Sequence, residues 1–428
     1  MRKPLVVLAL MFILFASAGE VPSARERSRA LQKQLQTAFA AKDWPAARTA
    51  LQEQRSFLHG STRATYNLAC VEALSGNKDE AFRLLNVIVA THQFVDPSND
   101  DDLASLRSDP RFEKLVTAFK KNLDPISTST TAYTIGDPEL LTEDITYDPQ
   151  TRSFFVTSVL RKTITRVETD RNKLSFFADL SKDPGWPLLA VAADARRRVL
   201  WVTAAAMPDF VASPKEAWGK DVLLKLDIKS GKILERFSAG DSEQHAMGDM
   251  TVMRDGAVIV SDGLGGAVFR LRPGSQKLER IDAGEFISPQ TPALSPDERF
   301  VFVPDYSRGI GRIDLATGAV SWLSHSDDIA MGGIDGLYFH GQDLYAAQNG
   351  ADPARVMRFH LNAALDRIER MDILESNSPG LGDPTHGVFV GSDFYFISNS
   401  GWSELDDHGN VKDGHTMTPA TIRKLSVK

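Results

Sequence analysis

Cysteine is almost absent from this sequence: of 428 residues, only Cys70 carries a thiol. No intrachain disulfide can form, and neither a Cys-x-x-Cys pair nor a haem-attachment motif exists. Cys70 lies in an alanine-rich segment of helical spacing, which points to a packed thiol rather than a nucleophile. Basic runs are missing too. The 49 Lys and Arg against 56 Asp and Glu leave a formal net charge of −7, which argues against nucleic acid or an anionic membrane surface as partner. The 9 histidines are scattered without a His-x-x-x-His pair, so the usual helix-borne zinc motif is excluded. One long apolar run exists, from Leu5 to Phe15, after Arg2 and Lys3 and before Ala16-Ser17-Ala18. It falls short of the ~20 apolar residues that span a bilayer. It reads as a secretory signal peptide over 1–18, leaving a mature chain from Gly19 that is periplasmic or secreted and free of the membrane.

What is present divides into two parts. Residues 24–122 show helical periodicity and no strand signals. The stretch "YNLACVEALSGNKDEAFRLLNVIVA" (66–90) reads as two helices joined at Ser75-Gly76-Asn77, and "AFAAKDWPAARTALQEQ" has the same shape. Ala47 and Ala81 are 34 residues apart, as are Asp43 and Asn77. That period, with a small residue at the helix crossing, resembles the tetratricopeptide repeat. The segment 96–121 has two proline-started turns and reads as a cap. Two repeats are few, so this all-α module is expected to lean on its neighbour, either as a structural appendage or as a docking surface for a protein partner.

After a polar linker, residues 129–428 alternate with period two between turn residues. Strands such as "FFVTS", "LWVTA", "VIVSD", "VFVPD", "LYAAQN" and "FYFISN" recur. Each is followed by a strand with one basic residue among apolar ones: Arg166, Lys225, Arg270, Arg312, Arg358 and Lys424. Six copies at roughly 40–50 residues per repeat predict a six-bladed, all-β propeller. The basic positions read as one solvated charge per blade. The last strand, 421–427, is the third of its blade, so 131–135 is expected to pair with it and close the ring.

In such blades the residues before the first strand and after the second share one face. Glu143, Asp249, Gln290, Asp335 and His386 start first strands, and Asp262, Asp305, Asn349 and Asn399 follow second strands. The two longest insertions, 206–221 and 401–419, would rim that face like a lid. Converging polar groups at a lidded channel mouth are a candidate site. Asp262 and Asp297 read as turn formers. Glu143 and Asp335 do not, because a channel-facing carboxylate is costly unless something pairs with it.

From about residue 140 onward the chain resembles the senescence-marker-protein/gluconolactonase group of six-bladed propellers. The resemblance rests on "EDITYDP" (143–149), "HAMGDMTVMRDGAVIVSD" (245–262), "SPQTPALSPDERFVFVPDYSRG" (288–309) and "IDGLY" (334–338). It implies metal ligands at Glu143 and Asp335; Gln290 and Gly248 stand where the family has Asn, and with Asp249 beside Gly248 a ligand set of Glu143, Asp249, Gln290 and Asp335 is chemically open. It implies a divalent metal, Ca²⁺ in the first place, and hydrolysis of a small-molecule lactone or ester. Asp335 or His386 would then be the general base, and Asp305, Asn349 and Asn399 would contact substrate. The other reading is a non-catalytic binding or scaffold protein with two docking surfaces.

Overall fold

The computed structural model describes residues 22–427. The expected signal peptide lies outside the described residues.

Five α-helices come first: α1 (Ala24–Ala40), α2 (Trp44–Phe57), α3 (Thr62–Leu74), α4 (Lys78–Ala90) and α5 (Pro110–Lys121). The 34-residue period has a structural cause. Asp43 and Asn77 are the N-cap residues of α2 and α4. The Asp43 carboxylate accepts the Ala46 N–H at 3.0 Å, meeting one of the orphan donors of a helix start. Ala47 and Ala81, four residues on, are wholly buried where the paired helices cross. Cys70 is buried in the same core, beside Leu68, Phe82 and Leu85.

Six four-stranded antiparallel sheets follow. Blade one comprises Thr142–Asp148, Ser153–Ser158, Thr163–Glu168 and Lys173–Asp179. Blade two comprises Leu188–Asp194, Val199–Ala205, Asp221–Asp227 and Ile233–Phe237. Blade three runs from Met247 to Arg280, blade four from Ala293 to Trp322 and blade five from Ile334 to Ser376. Blade six takes Gly387–Val390, Asp393–Ile397 and Thr421–Ser426 from the end of the chain and Thr130–Thr134 from before blade one. Thr130 lies opposite Lys424 and Thr134 opposite Thr421. The closure expected for 131–135 is observed one residue earlier, at Thr130–Thr134, and it gives the sixth blade its fourth strand.

First strands of all six blades line one central channel, a cavity of about 350 Å³. The repeated basic residues sit on the third strands, and several of them pair with an acid of their own blade. Lys225 reaches Glu235 at 2.6 Å, Arg358 reaches Asp372 at 2.7 Å and Lys424 reaches Asp393 at 3.2 Å. They form no ring around the channel.

The helices rest on the mouth end of blades three to five. The Arg308 guanidinium lies between the rings of Phe57 and Trp322, 4.2 and 4.1 Å from their centroids, and donates to the Phe57 carbonyl. Arg355 is completely buried. It donates to the Thr91 and His92 carbonyls at 2.8 and 3.3 Å and to Gln348 Oε1 at 2.6 Å. Those carbonyls cap the C-terminus of α4, the negative end of its dipole. The expected leaning of the helical module on its neighbour thus has a definite chemistry: a buried cation set against a helix end.

Candidate functional site

The site begins with an irregularity of the backbone. The pairing of first and second strands slips at the same height in four blades. The slips fall between Thr142 and Ile145, Leu188 and Val191, Met247 and Asp249, and Ile334 and Gly336. Such bulges re-aim side chains that strict alternation would send to opposite faces. Glu143, Leu189, Gly248 and Asp335 occupy equivalent places at the slip. Gln290 takes that place in blade four, after Pro289, which bridges Asp305 much as Met247 pairs with Asp262. Thr385 takes it in blade six, just before His386, whose carbonyl accepts the Ile397 N–H. One residue deeper lies a second ring, with Asp144, Asp249, Thr291 and His386 among its members.

Glu143, Asp335 and His386 come together, each offering a donor atom within 4.8 Å of the others. Asp335 and His386 are 8% and 1% exposed. Around them the hydrogen bonds form a connected set. Trp402 Nε1 donates to Glu143 Oε2. Asn349 Nδ2 donates to Asp335 Oδ2 at 2.7 Å, and Tyr306 OH donates to Asn349 Oδ1 at 2.9 Å. His386 Nδ1 donates to the Glu143 carbonyl at 2.8 Å. Its Nε2 bonds Asp249 Oδ1, which also accepts from Thr291 Oγ1 at 3.0 Å. Asp144, one residue below Glu143, accepts the Val191 and Ile145 N–H groups, both at 2.7 Å.

The electrostatics are lopsided. Four carboxylates face one imidazole. Burial, then repulsion from Asp335, raises the Glu143 carboxyl, while His386 and the Trp402 bond oppose the rise. Burial raises Asp335 as well, against the pull of His386 and the Asn349 bond. Burial pushes Asp144 up to about 6, with His386 opposing. Burial by itself would lower His386, but Asp249 and Asp144 hold it well above the usual imidazole range. Two like charges at this separation repel by about 3–4 kcal/mol at an effective dielectric of about 20. One charged hydrogen bond, worth about 1.5–3 kcal/mol, does not offset that. The cluster as built therefore calls for a cation or for bound protons.

A cavity of about 540 Å³ opens above the cluster. Asp249 and Gln290 lie on its floor and Trp402 on its wall, so two lining residues are bonded directly to His386 and Glu143. The roof comes from the two long insertions. The Val211 N–H donates to the His408 carbonyl at 2.7 Å, and the Phe210 and Trp402 rings lie 5.7 Å apart. The expected lid is present, and its two halves meet.

Each expected site residue can now be placed. Glu143, Asp335 and His386 converge. Asn349 is bound to Asp335 rather than turned to open space. Asp249 stands outside the triplet as the partner of His386. Gln290 lines the cavity, with its amide nitrogen 3.1 Å from Ser288 Oγ. Two substrate-contact expectations need correction. Asp305 is fully buried, and its carboxylate accepts the N–H groups of Ile287, Ser288, Ser307 and Arg308. Asn399 fastens the base of its own loop, accepting the Thr421 N–H at 2.8 Å and donating to the Pro419 carbonyl. Both are turn fasteners. His386, expected as a possible base, has both ring nitrogens engaged, so its part is to orient Asp249. Asp144, Thr291 and Trp402 went unnoticed in the sequence. The adjacent acids of "EDITYDP" were the available signal for Asp144, since a plain strand would turn one of them away from the channel.

No protein-family model matches the chain, and no curated protein matches it. Solved structures of similar shape include a gluconolactonase from Xanthomonas campestris, at 14% identity and a TM-score of 0.48, over 71% of this chain and 99% of that one. A calcium-binding protein, regucalcin, from Agrobacterium tumefaciens stands at 16% and 0.48, over 69% and 94%. The PQQ-bound aldose sugar dehydrogenase of Streptomyces coelicolor stands at 14% and 0.48, over 71% and 100%. These three have different described roles, and a shared fold selects none of them.

Proposed function

We propose that this propeller is an exported, metal-dependent hydrolase of a lactone or ester. The observation that carries the reading is the convergence of Glu143, Asp335 and His386, joined through Trp402 and Asp249 to the lining of a lidded cavity. The donor set fits a hard divalent cation. Both nitrogens of His386 are engaged, so the group offers carboxylate oxygens from Glu143 and Asp335, and Gln290 takes the equivalent place in blade four. An oxygen shell completed by water is what Ca²⁺ takes. A bound cation would polarise the carbonyl of a ring ester and lower the pKa of a water.

The remaining work falls to side chains. Asp335 keeps Oδ1 free of hydrogen bonds while Asn349 holds Oδ2. Its raised pKa suits a general base that works near neutrality, a role worth roughly 10²–10⁴-fold in rate. Asp249 is held by His386 and Thr291 through one oxygen, and its other oxygen is free to orient a water. Trp402 fixes Glu143 and keeps bulk water off the cluster.

The test is hydrolysis of a panel of lactones and aryl esters by the purified mature chain, with and without a chelator. The expected result is turnover that the chelator abolishes and Ca²⁺ restores. No turnover by the Ca²⁺-loaded protein on any member would overturn the reading. Export is tested separately: the N-terminal sequence of the protein from an exporting host should begin at or near Gly19.

A further inference from the structure

The cavity roof and the half of the mouth formed by blades two to four share a character the acidic cluster lacks. At the slip position these blades carry Leu189, Gly248 and Gln290. The cavity wall is made by Met207, Phe210, Leu264, Trp402 and Leu405, and no Lys or Arg is among its lining residues. Its polar groups are few and mostly engaged. Asp249 is bound to His386 and the Gln290 amide nitrogen to Ser288. At the rim, Asp406 accepts the His408 and Asn410 N–H groups of its own loop. A Cβ added to Gly248 would meet nothing within 4 Å, so this position opens onto free space.

Resting on the hydrolase reading, we propose that the substrate is a neutral lactone or ester carrying an apolar alkyl or aryl group. The carbonyl faces Glu143 and Asp335, and the apolar group lies against Phe210, Trp402 and Leu405. Three arguments converge. An anionic substrate would meet Asp249, Asp406 and Asp407 with no basic residue to offset them. A polyhydroxylated lactone would give up water at each hydroxyl and find almost no free donor or acceptor in exchange. An apolar group would leave water for a wall of apolar side chains, a gain of roughly three- to fourfold per methylene. The volume, about 540 Å³, suits a ligand of that size.

The test uses the mature parent chain loaded with Ca²⁺ and the series γ-butyrolactone, γ-hexalactone, γ-octalactone and γ-decalactone, with D-glucono-1,5-lactone as the polar member. The expected kcat/KM rises about three- to fourfold per methylene to γ-decalactone and exceeds that for the hydroxylated lactone by more than 100-fold. Calorimetry of γ-decalactone binding to Asp335→Asn follows the cavity without hydrolysis. Gly248→Leu, which fills the open position, should flatten the series in both measurements while the protein keeps its parent content of bound Ca²⁺. Binding of γ-decalactone without hydrolysis by the parent would sink the hydrolase reading and leave the apolar cavity standing. A series flat in rate and binding, or preference for the hydroxylated lactone, would overturn the proposal. So would an unchanged preference in Gly248→Leu.

Discussion

The two halves of the channel mouth are built on the same backbone and do opposite things. Blades five, six and one bring Asp335, His386 and Glu143 to the slip or one residue below it. Blades two, three and four present Leu189, Gly248 and Gln290 at the corresponding height. One half concentrates negative charge under Trp402, and the other is uncharged at the slip and leaves room. The propeller supplies six nearly equivalent positions, and the side chain at each decides whether it becomes a ligand or a space. On the proposed reading, reactive groups face the first half and the body of a substrate faces the second.

The sharpest way to break this comparison uses two aspartates close to the mouth. Asp335→Ala should lower hydrolysis by on the order of 10²–10⁴-fold. It should leave the melting temperature unchanged or raised, because a buried, repelled carboxylate is removed. Asp305→Ala should do the reverse, costing about 2–3 kcal/mol of stability by stripping four backbone N–H groups of their acceptor, with parent turnover at temperatures where the variant stays folded. Denaturant melts and rate measurements on both variants decide the matter. If Asp305→Ala abolished turnover in a stable protein, the division between reactive and structural carboxylates would be wrong.

A smaller effect concerns how the mouth is covered. Helices cover blades three to five, and loops cover the opposite side. Arg355→Ala would leave the Thr91 carbonyl and Gln348 Oε1 without this donor in a buried interface, at a cost of about 3 kcal/mol. Proteolysis should then release the helical module before the propeller is cut. If the variant melted as the parent does, the module would be held by something other than this contact.

The smallest effect is one of pH. At the base of the lid on blade two, His245 bonds Asp262 and Asp241 at 2.5 and 2.7 Å, and its N–H donates to the Gly219 carbonyl. Asp221 and Arg280 are the other charged groups close by. Burial by itself lowers His245, but the two carboxylates raise it above its ordinary value. Burial, then repulsion from Asp262, pushes Asp221 up to about 7. Both folded-state values are raised. Their contributions are present below the unfolded-state values and are lost as pH rises through the folded ones. The Asp221 contribution should therefore be lost as pH rises from about 4 to about 7 and the His245 contribution above its ordinary value of about 6.5, so the parent's melting temperature should fall through this range and His245→Gln should lose the upper part of that fall. Identical pH profiles for parent and variant would remove His245 from the account.

Much of the fold was legible because it rests on repetition. The alternating strands, the single basic residue on each third strand and the 34-residue helical period each repeat a local requirement, and repetition survives any single irregular residue. The closing strand, expected at 131–135 and observed at Thr130–Thr134, followed from counting strands. The site was legible only in outline. Glu143, Asp335 and His386 could be chosen because strand starts share one face. Their neighbours depended on the backbone slip, which sequence alternation does not record, so Asp144 and Thr291 stayed hidden. Trp402 belongs to an insertion whose path nothing local specifies, and its bond to Glu143 spans the two ends of the propeller sequence. Asp305 and Asn399 were misread because a turn fastener and a substrate contact use the same residue types at the same strand ends. Only the count of satisfied N–H groups separates them.

The central claim is that Glu143 and Asp335 share a cation at the channel mouth. Calorimetric titration of the chelator-treated parent with Ca²⁺ at pH 7.5, beside the Glu143→Gln, Asp335→Asn double variant, tests it most directly. The account expects one ion bound per parent chain, with proton release as the raised carboxyls ionise, and no binding by the folded double variant. A parent that takes up no ion, or a double variant that binds it equally well, would contradict the account.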